Sequence, residues 1–169
     1  MSNKKAPERL AGGIEGFQIS RDNRRTSFPC HWHDFYEFEW LKRGSFIHRM
    51  NDNETLLNGG DLVLCTTTDI HSLEVDRGDI QLITVHFDEN YLTETSKKVI
   101  NSLKNREFSF DEKTAKIIDD IFETLFDIRD NKFKNKSENI KNRIETCTSP
   151  VKTDNRKKQP PMVELKQLP

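Results

Sequence analysis

The sequence predicts a mainly β domain followed by C-terminal α-helices. Between residues 16 and 88, short runs rich in apolar and β-branched residues alternate with clusters of Gly, Asn and Asp, which is typical of antiparallel strands joined by tight turns. After Asp88 the spacing of the apolar residues changes from about two to about 3.6, the period of an amphipathic helix. Hydrophobic and charged residues each make up 33% of the 169 residues, so we expect a compact apolar core surrounded by solvated segments.

Seven strands are predicted, and the turn-forming residues between them set their limits. They are Phe17–Ser20, Phe35–Lys42, Phe46–Met50, Thr55–Leu57, Leu62–Cys65, His71–Val75 and Ile80–Phe87. The Asn51-Asp52-Asn53 turn joins the third and fourth of these strands into a predicted hairpin. Many short strands at close and regular spacing indicate an antiparallel barrel or sandwich.

Two helices and a weaker third one are predicted after the strands. The first is Glu89–Lys104 with Asp88 as its cap, the second is Glu112–Arg129 with Asp111 as its cap, and the third is Ser137–Glu145. The second helix carries an apolar stripe formed by Ala115, Ile118, Ile121, Phe122, Leu125 and Phe126. This stripe needs a partner, which is either the outside of the barrel or the same helix of a second subunit.

The net charge of −1 is unevenly distributed along the chain. Residues 132–169 hold ten basic and four acidic residues, a net charge of +6, while the rest of the chain holds 17 basic and 24 acidic residues, a net charge of −7. Helical periodicity ends near Thr146, so residues 146–169 are predicted to be a disordered basic tail, solvated rather than bound to nucleic acid. Residues 1–13 are predicted to be a flexible N-terminal arm.

The cysteines and the chain start predict a cytoplasmic protein. Cys30, Cys65 and Cys147 lie far apart and form no CxxC pair, which is typical of reduced thiols. The polar start has no apolar run of signal-peptide length, and no window is long enough to span a bilayer, so no membrane association is expected.

A spaced cluster of metal-ligand or hydrogen-bonding side chains lies between residues 31 and 71. Because alternate residues of a strand face the same side, His31, His33, Glu37 and Glu39 are predicted to point into the barrel together, and His71 joins them from a later strand. The opposite side is an aromatic stripe that must be covered by the helices or by another subunit. It consists of Trp32, Asp34, Tyr36, Phe38 and Trp40.

Two kinds of site fit this cluster. Imidazole nitrogens and a carboxylate oxygen are the ligands of a divalent transition metal, and two histidines with one carboxylate also resemble the facial triad of non-haem iron enzymes. The same groups can instead hydrogen-bond a polar molecule such as a sugar without any metal. The two remaining histidines, His48 and His86, are interpreted as structural or solvent-facing.

The first half of the cluster matches the first motif of the cupin family. The pattern HxH(x)3–4E(x)6G is met in full by His31, His33, Glu37 and Gly44. Arg25 stands where a glycine usually precedes the first histidine. The resemblance implies a cupin barrel, also described as a double-stranded β-helix or jelly roll.

The second cupin motif, G(x)5PxG(x)2H(x)3N, is only partly met. Gly60 and His71 match it, whereas Thr66, Thr68 and Val75 stand where Pro, Gly and Asn are expected. The first half of the family pattern is therefore intact and the second half is degraded, which favours binding over catalysis.

Three longer segments resemble the N-terminal sensor domain of AraC-type transcription regulators, in the branch that senses sugars. They are HWHDFYEFEWLKRG, NGGDLVLCTTTDIHSLEV and QLITVHFDENYL, and the resemblance covers residues 14–130. It implies a cupin barrel over residues 14–88 and a helical dimerisation region over residues 89–145, with Glu112–Arg129 as the dimer helix. It also implies an effector pocket lined by His31, His33, Glu37 and His71.

The chain departs from that family after its second helix. Two helix-turn-helix units of about a hundred residues follow the sensor in the family, whereas only about forty residues without that periodicity remain here. We therefore expect this chain to reach DNA only through a helix-turn-helix domain that it lacks.

The sequence thus predicts the effector-sensing and dimerisation domain of a bacterial AraC-type regulator, which is not an enzyme and needs no cofactor. One alternative is a small metal-dependent cupin enzyme, an isomerase or a dioxygenase, with a divalent transition metal on His31, His33, Glu37 and His71. Another is a truncated regulator fragment that forms heterodimers with a full-length regulator.

Overall fold

The computed structural model describes residues 14–24, 26–75, 78–130 and 135–153. Its strands are β1 (Phe17–Arg24), β2 (Phe28–His31), β3 (Tyr36–Arg43), β4 (Ser45–Met50), β5 (Asn53–Asn58), β6 (Asp61–Cys65), β7 (His71–Glu74), β8 (Ile80–Phe87) and β9 (Glu107–Ser109). Its helices are α1 (Glu94–Ser102), α2 (Glu112–Asp130) and α3 (Lys136–Thr153). None of the described helices is both long and apolar enough to cross a membrane.

The strands form two antiparallel sheets that face each other. One sheet has the order β1-β8-β3-β6-β9 and the other has the order β2-β7-β4-β5. This is the arrangement of a jelly roll, in which β1-β8-β3-β6 pack over β2-β7-β4-β5. In a jelly roll, two Greek keys bury one face of each sheet between them. The predicted fold class, a cupin barrel followed by helices, is confirmed.

The turn after β3 explains the glycine of the first motif. Gly44 has a φ of 91°, in the left-handed region that side chains with a Cβ avoid. A Cβ at this position would lie 2.9 Å from the carbonyl oxygen of Asp79, so the approach of the loop before β8 also excludes a larger residue.

All seven predicted strands are present, and two further strands are found. β2 contains Pro29 and lies at the edge of its sheet, where a proline is tolerated because one side of the strand needs no ladder hydrogen bonds. β9 has three residues and pairs with β6, placing Phe108 opposite Leu62. No strand was predicted between the helices Glu89–Lys104 and Glu112–Arg129, so the helical region contributes an unexpected edge strand to the barrel.

The predicted helix Glu89–Lys104 is interrupted. A 3-10 turn at Glu89–Tyr91 is capped by Asp88, whose carboxylate accepts a hydrogen bond from the backbone N–H of Asn90 at 2.8 Å. The backbone then becomes extended at Leu92, and α1 begins after a separate cap. The apolar period continued through this break, which is why the sequence predicted one helix.

The predicted third helix, Ser137–Glu145, is longer in the structure and ends at Thr153. Residues 146–153 were predicted to belong to the disordered tail, and that prediction is wrong for this segment. The helical spacing of the predicted part in fact continues to one further buried position after Glu145, which makes three fully buried residues in all. They are Ile140, Ile144 and Cys147. The predicted arm over residues 1–13 and the remainder of the tail, residues 154–169, lie outside the described residues.

The outer face of the five-stranded sheet is covered by helix α2 of the same chain. Phe38 and Trp40 on β3 are almost fully buried, and their rings lie 6.4 and 6.2 Å from the ring of Phe122. The indole N–H of Trp40 donates to the carboxylate of Asp119 at 3.1 Å. The stripe is therefore covered as predicted at Tyr36, Phe38 and Trp40. Two positions before β3 are exceptions, since Trp32 is only half-buried and Asp34 is exposed.

A second apolar cluster fills one end of the space between the two sheets. It consists of Leu41, Phe46, Met50, Leu57, Val63, Cys65, Leu73, Ile80 and Leu82. On β3 this end is marked by Leu41, while Glu37 and Glu39 point into the same interior at the other end. The barrel interior is thus apolar at one end and polar at the other.

Helix α2 offers a paired test of this packing. We expect Ile121→Asp to lower the free energy of unfolding by about 3–5 kcal/mol, because the residue is 4% exposed and the carboxylate would be buried without a partner. Leu56→Asp, at a residue of β5 that is 60% exposed, should change the free energy of unfolding by less than about 0.5 kcal/mol. Urea unfolding of both variants measures the difference, and equal losses would contradict the packing described here.

Candidate functional site

The polar end of the barrel is assembled from four neighbouring segments. His31 ends β2, His33 lies in the connection to β3, Glu37 is on β3, and His71 begins β7 directly opposite His31. All four side chains are at most 7% exposed. Each offers one ligating atom, and these atoms lie within 4.8 Å of one another. The spaced sequence motif therefore comes together as one buried cluster.

Direct contacts connect three members of this cluster. Nε2 of His33 lies 2.9 Å from the Glu37 carboxylate, and Nε2 of His71 lies 3.2 Å from Nε2 of His33 and 3.4 Å from the same carboxylate oxygen. Nδ1 of His33 donates to the carbonyl oxygen of Phe35 at 2.8 Å, and Nδ1 of His31 lies 3.0 Å from the carbonyl oxygen of Pro29. These backbone contacts direct the Nε2 atoms of both rings toward the interior.

Two histidines outside the motif also belong to the polar interior. Nε2 of His86, on β8 opposite Glu37, lies 2.9 Å from the second oxygen of the Glu37 carboxylate. His48 on β4 is fully buried, and its Nδ1 lies 2.7 Å from the carboxylate of Glu107 on β9. The sequence signal for His86 was its place on the inward face of β8, two residues from Thr84; no local signal marked His48.

Glu39 lies inside the barrel, as predicted, but beside His48 rather than within the four-residue cluster. One of its carboxylate oxygens is 3.7 Å from Nε2 of His48. Cys65, on the neighbouring strand β6, places its sulfur 3.3 Å from Nδ1 of His71. The polar interior therefore continues from His71 to a second group of titratable side chains, which the sequence analysis did not connect.

Glu37 is kept as a buried carboxylate by the surrounding histidines. Burial alone raises its pKa, but the hydrogen bonds from His33 and His86 outweigh burial and hold the pKa well below its usual range. The pKa of His33 is lowered by burial, yet the Glu37 carboxylate and the Phe35 carbonyl outweigh this, so it is raised overall. Both nitrogens of His33 face acceptors, which favours an imidazolium paired with Glu37.

His71 and Cys65 are kept neutral by burial. Burial and the nearby charges of His31, His33 and His48 outweigh the attraction of Glu37 and lower the pKa of His71 to about 3. Burial, together with the carboxylates of Glu37 and Glu39, raises the pKa of the Cys65 thiol well above its usual value. A neutral imidazole beside a protonated thiol can both accept and donate hydrogen bonds.

The four-residue cluster fits a divalent transition metal. Two donor atoms that are each about 2.0–2.2 Å from one cation lie roughly 3.0–3.4 Å apart. The separations among His33, Glu37 and His71 are 2.9, 3.2 and 3.4 Å. Such a cation would take the place of the proton shared by His33 and Glu37, and it would supply Lewis acidity there.

Ring packing closes the cluster on one side. The ring of Phe35 stacks on His33 with centroids 4.2 Å apart, and it lies 4.6 Å from the ring of His86. A groove of about 400 Å³ lies elsewhere, on the outer face of the four-stranded sheet, lined in part by Arg49, Ser72 and Glu74. Because the four side chains of the cluster are at most 7% exposed, a ligand as large as a sugar needs the side chains around His33 to move before it can enter the polar end.

The low pKa of His71 predicts that acid weakens the fold. Between pH 6.5 and 4.5 an unfolded chain binds a proton at this histidine while the folded chain does not, so the free energy of unfolding falls as the pH falls, by up to about 1.4 kcal/mol for each pH unit. Urea unfolding at a series of pH values, with a chelator present, measures this slope, and His71→Gln should flatten it.

His33→Gln is the control for that experiment. Because the pKa of His33 is raised, its contribution to stability is complete below pH 6.5 and is lost only as the pH rises above that value, so the slope at lower pH should remain. Equal slopes in the parent chain and in His71→Gln would contradict the assignment to His71.

The comparison with protein families identifies a match over most of the chain. Residues 14–145 match the AraC-like ligand binding domain. A curated relative, the uncharacterised HTH-type transcriptional regulator YbfI of Bacillus subtilis (strain 168), is 38% identical over 47 residues. Those residues are 28% of this chain and 17% of YbfI, so the chain covers only a small part of that regulator.

Solved structures of ToxT from Vibrio cholerae share the fold. Apo ToxT is similar with a TM-score of 0.57 and 10% identity, over 83% of this chain and 57% of that chain. ToxT with an unsaturated fatty acid bound has a TM-score of 0.52 and 9% identity, over 84% of this chain and 55% of that chain. This chain therefore spans little more than half of those proteins, and at such identities the likeness concerns the fold alone.

The helices of this chain agree with the family match. The described parts of α1, α2 and α3 pack on the barrel or on one another, and no helix-turn-helix unit is found among the residues that the structure describes. The jelly-roll barrel, the helices that cover it and the match over residues 14–145 lead to one conclusion: the chain belongs to the AraC-like ligand binding domain family.

Proposed function

We propose that this chain senses a small polar effector for a cytoplasmic transcription regulator, and that it performs no catalysis. The observation that carries the proposal is the buried cluster of His31, His33, Glu37 and His71, whose polar atoms face the barrel interior. A carboxylate and several imidazoles are suited to hydroxyl groups, which both donate and accept hydrogen bonds. We therefore propose a sugar-like effector, in contrast to the fatty acid found in ToxT.

Binding would exchange contacts within the cluster for contacts with the ligand. Hydroxyl groups would replace the His33–His71 and His71–Glu37 contacts, and the ring of Phe35 would have to turn away from His33. Glu39 lies two residues after Glu37 on the same face of β3, so its carboxylate would be the next hydrogen-bond acceptor for the ligand. The effector would thus stabilise a more open polar end than the closed arrangement described above.

Strand β3 couples the polar end of the barrel to helix α2. Its inward residues Glu37 and Glu39 belong to the polar end, while its outward residue Trp40 donates to Asp119 of α2. Lys42, also on β3, lies 3.0 Å from carboxylates of Asp119 and Glu123. A ligand that favours one position of β3 therefore favours one position of α2, which is a population shift between two arrangements. A helix-turn-helix domain outside this chain would convert that shift into DNA binding.

Calorimetry with a panel of mono- and disaccharides tests the effector proposal. We expect at least one sugar to bind, and Glu37→Gln to weaken that binding about 10- to 100-fold, because a charge-assisted hydrogen bond to the ligand is lost. Glu74→Gln is the matched control, since this half-exposed carboxylate lies on the outer face of the neighbouring sheet and should leave the affinity unchanged.

Two results would contradict the effector proposal. The absence of heat with every polar ligand would remove its basis. Binding that requires a divalent metal, disappears in His31→Ala and is followed by conversion of the ligand would instead favour a metal-dependent enzyme, for which the spacing of the His33, Glu37 and His71 donors is the supporting observation.

We also propose that the chain forms homodimers through Glu112–Arg129, with the outward side of this helix as the contact. Of the two partners predicted for the apolar stripe, the barrel of the same chain is the one that covers it, so the stripe is not available to a second subunit. Ile117 lies on the outward side and is 49% exposed. In this proposal a full-length regulator with the same helix could form a heterodimer in the same way.

Ile117→Asp tests the dimer because the substitution leaves the buried stripe untouched. We expect the parent chain to elute as a dimer in size-exclusion chromatography with light scattering, and Ile117→Asp to elute as a monomer, because a charge would be placed in the centre of the contact. Leu56→Asp, at a residue 60% exposed on β5, is the control and should remain dimeric. A monomeric parent chain would refute the dimer.

A further inference from the structure

A second group of ligand-type side chains lies next to the effector cluster. His48 on β4, Cys65 on β6 and His71 on β7 each offer one ligating atom, and these atoms lie within 4.8 Å of one another. All three side chains are at most 2% exposed. The group shares only His71 with the effector cluster, and nothing in the proposed function uses His48 or Cys65.

His48 is held in the orientation of a metal ligand. Its Nδ1 lies 2.7 Å from the Glu107 carboxylate, which fixes a proton on Nδ1. Its Nε2 is fully buried and has no hydrogen-bond partner among the residues that the structure describes. A buried polar atom without a hydrogen bond is unfavourable by about 1–3 kcal/mol, and the Glu39 carboxylate at 3.7 Å is too distant to supply one, so this nitrogen can take a further ligand.

His71 is held in a matching orientation. Its Nδ1 lies 3.3 Å from the sulfur of Cys65, while its Nε2 faces the Glu37 carboxylate at 3.4 Å. Each of the two imidazoles therefore has a carboxylate next to one ring nitrogen, which is Glu107 at Nδ1 of His48 and Glu37 at Nε2 of His71. Histidines that bind metals usually have such a carboxylate behind them, because it fixes the tautomer and strengthens the other nitrogen as a ligand.

We propose that His48, Cys65 and His71 form a binding site for a thiophilic transition-metal ion such as zinc. A metal with bonds of about 2.3 Å to sulfur and about 2.0–2.1 Å to nitrogen holds those two atoms roughly 3.3–3.6 Å apart, and the Cys65–His71 pair already has that separation. The carboxylate of Glu39 lies beside this group, with one oxygen 3.7 Å from Nε2 of His48. The neighbouring cluster of His31, His33, Glu37 and His71 offers only nitrogen and oxygen ligands. The thiolate of Cys65 distinguishes the second site from it and favours soft over hard cations.

Metal binding at this site is a ligand exchange without oxidation or reduction. The S–H bond of Cys65 breaks, its electron pair forms the bond to the metal, and one proton is released to solvent. His71 binds through Nδ1 and keeps its proton on Nε2, where it faces Glu37. Because the same imidazole cannot offer its Nε2 lone pair at the same time, a metal at this site removes His71 from the ligands of the neighbouring cluster.

Cobalt(II) tests the proposal because thiolate ligation gives it a distinctive charge-transfer absorption in the near ultraviolet. We expect the chelator-treated, reduced full chain to bind one cobalt per chain with this band, and Cys65→Ser to remove the band. His48→Gln should weaken cobalt binding about 10-fold or more. Cys30→Ser, Cys147→Ser and His31→Gln should keep the band, since none of these residues belongs to the site.

Other cobalt spectra would overturn the proposal. A spectrum without the thiolate band, or one that persists in Cys65→Ser and disappears in His31→Gln, would place cobalt on the neighbouring cluster alone. No uptake of cobalt would show that His48 serves only the structural pairing with Glu107 and Glu39. Circular dichroism of each variant verifies the fold, and the near-isosteric Cys65→Ser decides the outcome if His48→Gln does not fold.

Discussion

The alternation of side chains along β3 is the constraint on which the rest of the structure depends. Glu37 and Glu39 point between the sheets, while Phe38 and Trp40 point toward helix α2. β3 is hydrogen-bonded to β6 on one side and to β8 on the other, so its register is fixed from both edges. A shift by one residue would place two aromatic rings in the polar end and two carboxylates under a helix. The polar interior and the helical cover therefore stabilise the same register.

The parts of the fold that could be predicted are those with a strong local pattern. Strand β8 and helix α2 were predicted almost to the residue, because each has a continuous apolar period and clear residues at its ends. Strand β9 has only three residues within a charged segment, and it exists because β6 offers it an open edge. The break at Leu92 was likewise missed. Leu92 ends the 3-10 turn and Thr93 caps the start of α1, and neither residue disturbs the apolar spacing of the segment.

One part of the candidate site could likewise be predicted from the sequence, and another part could not. The sequence predicted that His31, His33, Glu37 and His71 meet, because motif spacing and strand alternation are local properties. It did not predict the second group, since His48 and Cys65 come from strands of different sheets, and their approach follows from the way the sheets face each other. The identity of the neighbour of a buried side chain depends on sheet packing, and one sequence carries little information about that packing.

The position of Glu107 shows that the barrel and the helical region cannot be separated at the end of β8. This carboxylate lies on β9, between two helices, yet its partner His48 is in the middle of the barrel. Arg106, beside it, forms an ion pair with the buried Asp69 of the loop before β7. Residues 106 and 107 thus complete the interior of a barrel whose other strands end at Phe87. We therefore expect the barrel and its helices to unfold together, because a shortened chain ending at residue 88 would remove the Glu107 partner of His48 and the Arg106 partner of Asp69.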